Sequence, residues 1–174
     1  MEIIDKEKTA NWLSMRGLLD SRGRLSLLEL EQIGYYPIPV DSGRKTVISR
    51  TIASFFDTEA ESLLWIDEYG IWQSCEDWNL FNGFRKSLGE ESPLYEKPGH
   101  LFSRKDLASI SSLLAMTLYF CCGAVIVKAD KSLLIRISHD EILDIFIPKE
   151  ATFPKEIIER IELVMDKEER TKET

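Results

Sequence analysis

Residue types that carry chemistry are scarce in this chain. It has two histidines and three cysteines in 174 residues. Cys75, Cys121 and Cys122 show no CxxC spacing, and adjacent cysteines with so few histidines suit tetrahedral zinc poorly. An odd cysteine count argues against a disulfide framework and for free thiols in a reducing cytosol. The glycines form neither GxGxxG nor a P-loop, so a phosphate or dinucleotide cradle is not expected. No metal and no cofactor is expected. The N-terminal stretch lacks a basic segment followed by an apolar one, so a secretory leader is not expected and a cytoplasmic location is. Neither an internal repeat nor a low-complexity linker divides the chain, which reads as a single domain over residues 1–174.

What is abundant is acid. The net charge is -8 and the pI about 4.9. That balance disfavours nucleic acid and anionic membranes as partners and favours a basic protein. Arg44, Lys45 and Arg50 form the only basic cluster of the first half. They do not share one tight helical face, so a solvated surface is expected rather than a phosphate track. A hydrophobic fraction of 44% and a charged fraction of 30% are those of a folded globular protein.

The charge-free run from Leu107 to Val127 is long enough to pass for a membrane span. Its internal grammar points elsewhere. Ser103 to Asp106 resembles a capping box. Leu107, Ile110, Leu114, Leu118 and Cys121 recur at helical spacing. Gly123 then breaks the pattern before the β-branched run Ala124 to Val127. The run predicts a buried helix over about 104–121 and a strand over about 123–128. Asp130-Lys131 reads as a turn, and Leu133, Ile135 and Ile137 as one face of a returning strand, making a hairpin near 123–137. No membrane span is expected.

Elsewhere the pattern predicts a helix over about 5–20, carrying Trp12, Met15, Leu18 and Leu19, with a short helical continuation over 25–31. Residues 34–39 read as extended because of Pro37 and Pro39. Val47, Ile48, Ile52, Phe55 and Phe56 fit a helix, with a strand at 46–49 as the competitor. Leu63 to Ile66 reads as a strand, with Ile71-Trp72 pairing back, and 74–88 as an amphipathic helix ended by Gly89. Residues 89–99 form a loop. Ser138-His-Asp-Glu141 is a full capping-box signature and predicts a short helix carrying Ile142, Leu143, Ile145 and Phe146. A last helix near 154–166 opens at Pro154, with acid-before-base pairs such as Glu156–Arg160 outside and a frayed tail beyond. Mixed elements with one antiparallel hairpin indicate an α+β fold, a small antiparallel sheet packed with several helices; a parallel βαβ core is the alternative.

Candidate sites are few. His139, beside Asp140 and Glu141, fits a helix cap whose dipole disfavours its protonation, or a general base oriented by a carboxylate. His100, in a loop entering the buried helix, fits loop ordering through a backbone carbonyl, or acid–base work. Cys75 near a helix start is the one thiol placed for activation, though thiols in apolar sequence are usually inert. The segment Trp65, Tyr69, Trp72, Trp78, Phe81 and Phe84 is interspersed with acids. Tyr69 and Trp72 flank a turn, where full burial is hard. With Asp67 and Glu68 they form the candidate partner-binding patch, since aromatic anchors beside acids suit a basic protein. The expectation is therefore an acidic protein–protein interaction or regulatory module of inhibitor or immunity type, without its own chemistry. A hydrolase-type enzyme using His100 or His139 with nearby carboxylates, and a structural homo-oligomer seamed by the 154–166 helix, are the alternatives.

Overall fold

The computed structural model describes residues 1–69, 78–152 and 154–165. In chain order the elements are β1 (Glu2–Ile4), α1 (Lys6–Ser14), β2 (Leu30–Pro37), α2 (Ser42–Phe55), β3 (Ser62–Glu68), α3 (Trp78–Ser87), β4 (Gly99–Phe102), a 3-10 turn (Arg104–Asp106), α4 (Leu107–Tyr119), β5 (Gly123–Lys128), β6 (Leu134–Ile137), β7 (Ile142–Pro148) and α5 (Lys155–Met165). The class is α+β. The sheet is larger than the expected hairpin: seven strands in the order β1-β4-β3-β5-β6-β7-β2. Every neighbouring pair is antiparallel, which removes the parallel βαβ alternative. The extra strands escaped the sequence pattern because β1 and β4 span three and four residues, too few for a period to show.

β5 is central and buried on both faces, which is why Gly-Ala-Val-Ile-Val reads as a continuous apolar run. On the first face Leu64, Ile66, Ala124, Ile126, Ile135, Ile137, Leu143 and Ile145 pack with Ile48 and Ile52 of α2, Ile110 and Leu114 of α4, and Ile158 and Ile161 of α5. On the second face Leu63, Val125, Val127, Leu134 and Phe146 pack with Trp12 and Leu13 of α1 and with Leu18. The apolar run from Leu107 is thus split between a 13-residue helix and a strand. Among the described residues no helix is long and apolar enough to cross a membrane.

Local chemistry explains most boundaries. Asp5 and Asp41 accept the Lys8 and Arg44 amides, both at 2.8 Å, and so start α1 and α2. Asp106 takes the Ser103 amide at 3.1 Å ahead of α4. α1 stops at Ser14, well short of residue 20, because Gly17 turns left-handed at φ +67°. Met15, expected on the buried stripe, is therefore 78% exposed. Residues 25–31 are not a helix; Leu25 bridges back to Leu19 and β2 begins at Leu30. The strand alternative at 46–49 gives way to α2. The helix near 154–166 is α5, with Leu163 exposed as its poor phase suggested. The pairing of Ile71-Trp72, the first turn of the 74–88 helix and the tail from Asp166 lie outside the described residues.

Two expectations fail for instructive reasons. Ser138 to Glu141 does not open a helix. It is the turn of the β6–β7 hairpin, closed by Ser138 N–H to the Ile142 carbonyl at 2.8 Å, with Glu141 left-handed at φ +59°. The Ser138 hydroxyl accepts the Asp140 amide at 3.1 Å, a contact that serves a turn as well as a cap. The segment beyond the turn alternates, with Leu143, Ile145 and Ile147 all on the first face, and the sheet takes it. Nor does Gly123 end α4. Cys121 takes the left-handed position, at φ +52°. Gly123 is small because a Cβ there would lie 2.6 Å from the Glu68 Cβ.

Gly99 is the other position where a missing side chain decides the packing. A Cβ there would meet the Thr9 hydroxyl and Ile4 Cγ1 at 2.7 Å, so α1 settles directly onto β4. Gly99→Ala is expected to lower stability by about 1–3 kcal/mol by lifting α1 off the sheet. Urea denaturation of the variant against the parent checks this.

Candidate functional site

On the second face the sheet changes character from one row of residues to the next. The row through Leu101, Leu63, Val127, Leu134 and Phe146 is apolar and lies under α1 and the segment after it. The next row runs Gly99, Trp65, Val125, Arg136, Asp144, Tyr35. Past it, the β3–β5 register shifts between Ile66 and Glu68, and the irregularity holds Asp67 and Glu68 at the sheet end. Beside them stands the β6–β7 turn with His139 and Asp140. Four carboxylates, Asp67, Glu68, Asp140 and Asp144, thus gather around Arg136 and His139.

A cleft of about 310 Å³ opens between this end of β3 and α1. Trp65, Asp67 and Tyr69 line one side, Lys6, Thr9 and Ala10 of α1 the other, with Leu19 and Gly23 of the following turn at one edge. Trp65 stands opposite Gly99, which has no side chain to crowd it. Trp65, Asp67 and Tyr69 are all half-buried, while Lys6 sits exposed at the rim. Asp67 forms no ion pair within 4.0 Å among the described residues. Its carboxyl is pushed up to about 6, first by burial and then by the neighbouring Glu68 charge; Arg136 opposes this in part. Burial also raises the Tyr69 phenol, with Tyr95 adding to it.

His139 belongs to the same end of the sheet. Its Nδ1 donates to Glu68 Oε2 at 2.8 Å, and its Nε2 lies 3.4 Å from Asp140 Oδ1. The hydrogen bond to Glu68 raises the imidazole pKa, against a smaller effect of burial, and the Glu68 and Asp140 charges add to it. The expected dipole effect is therefore reversed. No helix starts at Ser138, and two carboxylates face the ring instead of free amides.

The remaining candidates lie apart. His100 is on β4, not in a loop, and is completely buried on the first face. Its Nδ1 lies 3.4 Å from the Leu64 carbonyl, and among the described residues no carboxylate hydrogen-bonds it. Burial, with the nearby Arg85 charge, pushes it down to about 3, so it stays neutral. Lys45 is not a solvated surface residue. It is buried, with Nζ 3.1 Å from the Leu118 carbonyl and 2.9 Å from Glu141 Oε1, tying α2 to the end of α4 and the hairpin turn. Cys121 points its thiol at the same Glu141 oxygen at 3.8 Å. Among the described residues no cluster of His, Cys, Asp and Glu is arranged to hold a metal ion. Cys75 and Trp72 lie outside the described residues.

Of the expected patch, Asp67, Glu68 and Tyr69 thus fall together. Trp65, named in the aromatic segment but not in the patch, lines the cleft with Lys6 and Thr9, which were not singled out in the sequence. The period-2 spacing of Leu63, Trp65 and Asp67 signals that Trp65 and Asp67 share a face. Nothing local signals that α1 arrives over it. No protein-family model, no curated protein and no solved structure matches this chain.

Two outcomes are expected from the electrostatics. A raised carboxyl pKa means folding holds a disfavoured charge above about pH 6 and loses that penalty as pH falls toward 3.8. Asp67→Asn is expected to stabilise the protein at pH 7 by about 1–2 kcal/mol, with the gain vanishing near pH 4; paired denaturation curves at the two pH values check it. The His139–Glu68 bond has the opposite dependence. It stabilises fully below the unfolded imidazole pKa of about 6.5 and fades as pH rises through the higher folded value. Glu68→Gln, or Gly123→Ala with its methyl driven onto Glu68, is expected to bring the His139 titration back toward ordinary, as read by NMR of the imidazole protons.

Proposed function

We propose that the chain is an acidic binding module, without chemistry of its own, that engages a basic protein through the end of β3 and the adjoining turn. An inhibitor or immunity-type role, in which a basic target is neutralised, fits this reading best. One observation carries it above all: Asp67 is held half-buried in a cleft also lined by Trp65 and Tyr69, with no ion pair within 4.0 Å among the described residues, near other carboxylates. A carboxylate kept in that state lowers the protein's own stability, and a basic partner relieves the penalty on binding. The net charge of -8 would speed the encounter through long-range steering. A cytoplasmic setting accords with the odd cysteine count.

The enzyme reading retains one specific support, the 2.8 Å contact of His139 with Glu68, which is the geometry of an oriented general base. It lacks a nucleophile or a second acid–base group in hydrogen-bond reach among the described residues. His100, sealed in the core and neutral, offers this reading nothing. The homo-oligomer reading relied on the apolar side of α5. Ile158 and Ile161 of that side are buried in the chain's own core with α2.

The discriminating experiment is capture on the tagged chain from its native lysate at about 50 mM and 500 mM salt, where screening lengths differ severalfold. A stoichiometric basic protein held at low salt, released at high salt and not held by an Asp67→Asn/Glu68→Gln variant is expected. A salt-insensitive partner, or one indifferent to that variant, overturns the reading.

A further inference from the structure

We propose that the cleft between α1, the turn after it and the end of β3 is a receptor for one cationic side chain of the partner, an arginine in preference to a lysine. The proposal rests on the binding-module reading and goes further, by naming the group the cleft takes.

Size comes first. A volume of about 310 Å³ lies at the small end of ligand sites, suited to one long side chain rather than a drug-sized molecule. The lining comes next. Trp65 and Tyr69 bring aromatic side chains to the lining, and Asp67 supplies a carboxylate between them in the chain. A guanidinium is the group that uses both, because it stacks on an aromatic face while its edge donates to a carboxylate. This chain already makes the first half of that contact, with Arg16 3.6 Å over the Trp12 ring and Arg160 4.9 Å over Phe55.

Other occupants fit worse. An anion would face Asp67, with the Glu68 charge next to it in the chain. A neutral apolar group would complete the desolvation of Asp67 and leave it unpaired. The surrounding charges set the balance. Glu68 follows Asp67 on β3, Asp144 lies opposite Arg136 across β6 and β7, and His139 is paired with Glu68. Arg136 faces Asp67 without an ion pair within 4.0 Å among the described residues. Lys6 on α1 is the one cation lining the cleft among the described residues, and its exposed chain can swing away from an incoming guanidinium.

A bound cation also changes the titration of Asp67, which in the free protein sits at about 6. Binding near that pH displaces a proton, and binding at pH 8 displaces none.

The test is an NMR titration of the full chain with N-acetyl-arginine amide, reading the Trp65 indole N–H and the Asp67 amide. N-acetyl-citrulline amide is the uncharged control, and N-acetyl-lysine amide the rival cation. Saturable shifts with the arginine probe, none with citrulline, and roughly tenfold weakening in Asp67→Asn are expected, that variant being more stable than the parent at neutral pH. Lysine is expected to bind about threefold or more weaker for want of stacking. Lys6→Ala is expected to bind the arginine probe more tightly. Calorimetry at pH 6 in two buffers of different ionisation heat is expected to show proton release. Equal response to citrulline, an unchanged Asp67→Asn, or no saturable shift overturns the proposal; equal binding of lysine overturns its arginine preference. If the probe fails while the salt-sensitive basic partner is still captured, the cleft assignment alone falls. If the probe binds and no partner is captured, the binding-module reading falls and the cation site stands.

Discussion

The structure depends on β5 being buried from both sides. Ala124 and Ile126 meet the helices of the first face, and Val125 and Val127 meet α1 and Leu18 on the second. A strand with two apolar faces needs cover on both, so the seven-stranded sheet acquires α2, α3, α4 and α5 on one side and α1 on the other. The two covers are unequal. Four helices contribute to the core of the first face, while the nine residues of α1 roof only part of the second. The uncovered remainder is where the polar residues sit.

That inequality makes the candidate site. α1 is pressed onto β4 at Gly99, where no Cβ intervenes, and its far side overhangs the end of β3. The cleft is the gap between the overhang and the strand. The β3 irregularity and Gly123 then bring Glu68 across to the hairpin turn, where it takes the proton-bearing nitrogen of His139. Two glycines, by what they leave out, thus set both the cleft and its acidic border. Asp67, Glu68 and His139 form one electrostatic unit. The Glu68 charge favours the protonated form of His139 and holds Asp67 closer to neutral.

The polar groups used for stability are kept apart from this end of the second face. Lys45 is buried where three elements converge, and Glu141 and the Leu118 carbonyl satisfy its ammonium. Arg85, also fully buried, donates to the Ser92 and Lys97 carbonyls at 2.9 and 2.7 Å and so shapes the chain ahead of β4. His100 stays neutral beneath it. Each of these groups has its charge or its neutrality settled within the fold. Asp67 differs: it forms no ion pair within 4.0 Å among the described residues, and burial and the Glu68 charge hold its carboxyl closer to neutral.

Much of the fold was legible in the sequence because it rests on local chemistry. The split of Leu107–Val127 into helix and strand comes from helical spacing giving way to a β-branched run. The acid excess and the run of Asp67, Glu68 and Tyr69 singled out the end of β3 that borders the cleft. What local chemistry left ambiguous was decided by tertiary contact. Ser138 to Glu141 satisfies amides equally well as a cap or a turn, and the sheet chose the turn because Leu143, Ile145 and Ile147 share one of its faces. Lys45 is indistinguishable in sequence from its exposed neighbour Arg50, and only the arrival of Glu141, 96 residues later, buries it. The cleft itself is nowhere in the sequence. Trp65 and Thr9 are brought together by the packing of α1 on Gly99, and a gap between two elements is a property of their packing, not of either element.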